Sequence, residues 1–62
     1  MADYEVIFGY PSGTEDVVIV QARSRYAAKR EAAFIVSGWY GKRDSRWTYF
    51  HDAIVEVHKL DR

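Results

Sequence analysis

The chain has 62 residues, nine basic and nine acidic side chains, zero formal net charge and no cysteine. Without cysteine there is neither a disulfide framework nor a thiolate zinc site. No apolar run approaches the roughly 18 residues of a membrane span, and the acidic start MADYEV does not read as a signal peptide.

An apolar content of 48% places the chain among folded domains. The expectation is a single small domain over residues 1–62, located in the cytoplasm. A chain of this size buries only about 60% of its unfolded surface, and its core seldom supplies more than roughly 3–5 kcal/mol. Self-association or a partner is the remaining route to added stability. The charge is unevenly spread. Residues 1–22 carry four acids and no base, whereas residues 23–47 carry seven bases against Glu31 and Asp44. A dipolar molecule follows.

Asp3 to Tyr10, DYEVIFGY, is β-branched and aromatic and predicts a strand, with Tyr4, Val6, Phe8 and Tyr10 on one side and Glu5, Ile7 and Gly9 on the other. Its centre is apolar on both faces, as suits a central strand. Pro11-Ser12-Gly13-Thr14 is turn chemistry, and Asp16 to Ala22 predicts a second strand joined to the first as a hairpin.

Ser24 to Ser37, SRYAAKREAAFIVS, is the only stretch that reads as a helix. Ser24 is its N-cap, and Gly38 is expected to end it in a left-handed conformation. At 100° per residue Ala28, Ala32, Ile35 and Val36 share the buried face, with Ala27 and Phe34 on its flank. Tyr26, Lys29, Arg30 and Ala33 fall opposite. Gly38 to Arg46 is a connection. Trp47 to Phe50 and Ala53 to Lys59 both read as strand, with a break or bulge near His51-Asp52.

The expected fold class is α+β: a ββαβ unit whose mostly antiparallel three-stranded sheet has order 2-1-3, with one helix on one face. Val18, Val20 and Ala22, with Val55 and Val57, are expected to face the helix. A single helix leaves the other sheet face open. Val17 and Ile19 point there, joined by either Ile7 or the Tyr4, Val6, Phe8, Tyr10 set, and form a candidate homodimer face unless Trp39 and Trp47 fold over it.

Several chemistries are disfavoured. His51 and His58, seven apart, would diverge on one regular strand, so neither a two-histidine metal site nor a shared acid/base pair follows. Glu15 and Asp16 read as solvating the hairpin end. No nucleophile, base and orienting acid come together in sequence, and an enzyme is not expected. No cofactor motif is present. Gly38-Trp39-Tyr40-Gly41 matches the short GxxG of KH domains, but its middle residues are aromatic rather than basic, and a strand is expected to follow.

The stretch WYGKRDSRWTY, Trp39 to Tyr49, concentrates both tryptophans, two tyrosines and three bases. Trp39, Tyr40, Lys42, Arg43, Arg46, Trp47 and Tyr49 are the candidate partner-binding residues. Tryptophan, tyrosine and arginine dominate protein interfaces. The same residues stack on bases and meet phosphates, so nucleic acid is the second reading. Zero net charge favours protein. The third reading is structural: the tryptophans close the small core.

The unit V-x-V-x-A-x-S-x-x-x-A-x-x-x-A, Val18 to Ala32, resembles one found in many small bacteriophage-encoded orphan proteins. That resemblance implies an accessory phage product acting in the host bacterial cytoplasm by binding a host protein. It carries no catalytic or binding residues to this sequence.

Overall fold

Alternation in the first eight strand residues determines the side on which everything else packs. The structure is a computed structural model that describes residues 1–41 and 47–60. Strand β1, Ala2–Gly9, alternates buried and half-buried positions, with Tyr4, Val6 and Phe8 inward. Strand β2, Glu15–Ala22, pairs antiparallel with it, with Tyr4 opposite Val20 and Val6 opposite Val18. The connection is a tight turn in which Gly13 donates to the Tyr10 carbonyl and takes a positive φ of 89°, which glycine adopts at no steric cost. Strand β3, Ile54–Leu60, lies antiparallel on the other side of β1, so the sheet order is β2-β1-β3, as expected.

Helix α1, Arg25–Trp39, is capped by Ser24, whose hydroxyl accepts from the Ala27 amide at 3.1 Å. Against the sheet it packs mainly on β2. Ala28, Ala32 and Val36 are fully buried against the sheet, while Ile35 is only partly covered. The helix does not stop at Gly38. It continues to Trp39, and the left-handed residue is Gly41, with φ of 70°.

Trp47 to Phe50 is not a strand. It belongs to a second helix, α2, Trp47–Asp52, which packs against α1. Strand propensity of aromatic residues describes fitness for a half-buried pleated surface, and packing on a helix overrides it. The same contact explains Ala33. The helical wheel placed it outward, but with Ser37 it is completely buried, and these two small side chains let α2 approach. The Ser37 hydroxyl is satisfied by donating to the Phe34 carbonyl at 2.8 Å.

The expected break falls between α2 and β3, and a bulge follows it. Ile7 pairs with Glu56 but Phe8 with Ile54, so Val55 is the extra residue. It is turned out of the core, 56% exposed and beside Gly9, and does not face the helix as alternation suggested. Val18, Val20, Ala22 and Val57 do face inward. The core is completed by Phe50. On the outer sheet face lie Ile7, Val17, Ile19 and Val55, among Glu5, Glu15, Glu56 and His58. Among the described residues no helix is long and apolar enough to cross a membrane.

Candidate functional site

Helical spacing creates one aromatic surface. Tyr26, Arg30 and Phe34 follow each other at four-residue intervals and therefore form a stripe on α1. All three are exposed, Tyr26 at 66% and Phe34 at 45%. Trp47, the first residue of α2, comes alongside, half-buried against the core. The Arg30 guanidinium carbon lies 5.7 Å from the Trp47 ring centroid and 6.0 Å from that of Tyr26. Both distances fall within cation–π range. His51, one turn along α2, meets Trp47 edge-on at 5.9 Å. Between α1 and Trp47 runs an open groove of about 390 Å³, lined also by Ala27 and Glu31.

A second aromatic cluster lies where the hairpin turn meets the end of α1. Tyr40 stacks on Phe50 at 5.4 Å, and Tyr10 stands edge-on to both. Tyr49 meets Phe50 edge-on at 5.2 Å. Asp16 Oδ2 accepts a hydrogen bond from the Tyr10 hydroxyl at 2.8 Å and another from the Tyr40 hydroxyl at 2.7 Å. Burial, then the bond to Asp16, raises the Tyr10 pKa well above the ordinary phenol value. For Tyr40 the bond to Asp16 is the larger cause of its upward shift. A shallow recess of about 290 Å³ borders this cluster. The Tyr10 and Tyr40 hydroxyls are committed to one carboxylate, so the cluster serves first to fasten the hairpin to the helix end.

The structure thus divides the predicted segment. Tyr40 and Tyr49 join the Asp16 cluster, half of each side chain being exposed, and Trp47 joins the groove. Trp39 is 56% exposed at the last turn of α1 and lines neither recess. Lys42, Arg43 and Arg46 lie outside the described residues. Gly38 and Trp39 sit within the helix rather than in a loop, unlike a backbone clamp of the KH kind. The structure also corrects the expectation that a strand follows that stretch, since the next described element is α2.

Tyr26, Arg30 and Phe34 were not among the predicted binding residues. The signal that finds Tyr26 and Arg30 is their four-residue spacing on the outward side of the helical wheel; Phe34, expected on the flank of the buried face, is instead 45% exposed and extends the stripe. Val17 and Ile19 are exposed at 49% and 51% on the outer sheet face, and neither Trp39 nor Trp47 covers them. The histidines do not share a strand. His51 belongs to α2, while His58 on β3 is 2.8 Å from Glu56 of the same face. Comparison of the chain with family models, with curated proteins and with solved structures finds no match in any of the three.

Proposed function

We propose that the chain is a non-enzymatic binding module that grips a protein partner through the groove between α1 and Trp47. The observation that carries this is the Arg30 guanidinium set between two aromatic rings, next to the exposed Phe34. Stacked in this way, a guanidinium keeps N–H groups free for a carboxylate or backbone carbonyl, and the flat rings give contact area at low entropic cost. The fitting ligand is a segment with an apolar side chain beside an acidic one. Glu31 on the groove wall disfavours a phosphate backbone, as does the zero net charge. The bases at 42, 43 and 46 keep nucleic acid as the second reading.

The resemblance of Val18 to Ala32 to small phage proteins makes a bacterial cytoplasmic protein the first partner to test. An affinity capture from bacterial lysate, with and without nuclease and at two salt concentrations, separates the readings. A protein that survives nuclease and is lost with Arg30→Ala and with Trp47→Ala, while both variants stay folded, supports the groove. Capture of nucleic acid alone, falling steeply with salt, reverses the order. If both variants retain every captured species, the groove is not the contact.

A further inference from the structure

We propose that two copies of the chain join through their β2 edges, antiparallel and with Ile19 opposite Ile19, to give a continuous six-stranded sheet. This surface is separate from the groove, so either proposal stands or falls without the other.

The two free edges of the sheet are treated differently. On β3 the Arg25 guanidinium reaches across and donates to the Val57 carbonyl at 2.6 Å, which occupies an edge acceptor and places a charge beside it. Such a charge is a common block to strand addition. Among the described residues no side chain is hydrogen-bonded to the backbone of β2. That strand is eight residues long and β-branched from Val17 to Val20. It carries no proline or bulge on its pairing with β1. It is therefore the edge open to another strand.

The sequence of β2 selects a second copy as the occupant, and it selects the register. Glu15 and Asp16 begin the strand, while Arg23 directly follows its end. Antiparallel pairing about Ile19 sets Glu15 opposite the second copy's Arg23, Val17 opposite Gln21, and Val18 opposite Val20. Each opposite-charge pair then occurs twice, once on either side of the two-fold axis. Moving the register by two residues in either direction removes the pairing of Glu15 with Arg23. In this register both helical layers stay on one side, and Ile7, Val17 and Ile19 form one apolar stripe with their counterparts on the other side.

At its start α1 reaches β3 through Arg25, and just past its end Tyr40 touches Asp16 on β2, so the helix crosses the sheet diagonally. With the pairing above, Asp16 of one copy lies opposite Ala22 of the other.

A charge-swap cycle tests both surface and register. Sedimentation equilibrium of the wild-type chain from micromolar to millimolar concentration should show a monomer–dimer equilibrium. Glu15→Arg and Arg23→Glu, both at exposed positions, should each weaken the dimer about tenfold, and the double swap should restore it. A wild-type chain monomeric at millimolar concentration overturns the proposal. So does a dimer insensitive to both single changes, or one that the double swap fails to restore. Circular dichroism of each variant checks that the fold is kept.

Discussion

Asp16 holds two phenol hydroxyls on a single carboxylate oxygen, and that contact ties the start of β2 to the turn and to the end of α1. The consequence is a pH dependence on the alkaline side. Both phenols have raised pKa values in the folded chain, so the folded state holds its protons to higher pH than the unfolded one. The contribution is complete below the unfolded phenol pKa of about 10 and declines as pH rises above it toward the folded values. Urea unfolding at pH 8 and again above pH 10 should show stability falling with pH. A Tyr10→Phe/Tyr40→Phe double variant should show a smaller fall than the wild type. An unchanged slope would mean that these hydroxyls ionise alike in both states. Arg30 is the matching residue on the groove side. Its rings hold it without a carboxylate partner among the described residues, which leaves its hydrogen-bonding edge available to a ligand.

At the level of elements, α2 alters how α1 is read. One helix on a sheet buries one face, but a second helix buries the flank as well, and Ala33 records the difference. Ala32→Asp and Ala33→Asp should both cost several kcal/mol, comparable to the whole stability of so small a domain, because each buries an unpaired charge. Thermal melting checks this. If Ala33→Asp melted like the wild type, α2 would not be packed on that flank. The end of α1 gives a gentler test. Gly41 adopts φ of 70°, and among the described residues no atom lies within 4 Å of the position a Cβ would take, so backbone strain is the effect expected of Gly41→Ala. Its expected cost is about 1 kcal/mol in denaturant unfolding. The bulge at Val55 is the third local device: one extra residue moves a valine from the core side to the outer face and adds it to the exposed apolar stripe there.

For the molecule as a whole, the sheet separates two kinds of surface. Its inner side carries the core, in which Val6 and Phe8 of the central strand are fully buried. Its outer side bears Ile7, Val17, Ile19 and Val55 among acidic residues. Phe8→Ala should remove about 3–5 kcal/mol and leave the chain unfolded, since a domain of this size has little more than that to lose. Ile7→Ala, one residue away but on the outer face, should cost far less. Circular dichroism melts of the two variants make the comparison, and similar losses would mean that the outer face is covered in solution.

While the inward face of β1 was decided by the tertiary structure, the sequence alone determined the hairpin, the capped helix, the order 2-1-3 and the inward set Val18, Val20, Ala28 and Ala32. These depend on local alternation, helical periodicity and turn chemistry, all carried by near neighbours in the chain. It did not reveal α2, the bulge at Val55, the burial of Ala33, or the meeting of Tyr26, Arg30 and Phe34 with Trp47. Residues 47–50 have aromatic and β-branched side chains that satisfy a strand pattern equally well. Only the presence of α1, with small side chains at 33 and 37, makes a helix the better packed choice. The groove depends on the same contact, because it brings Trp47 of α2 beside a stripe that lies 13 to 21 residues earlier in the chain. Local chemistry specified the elements, and long-range packing decided which of their faces became surface.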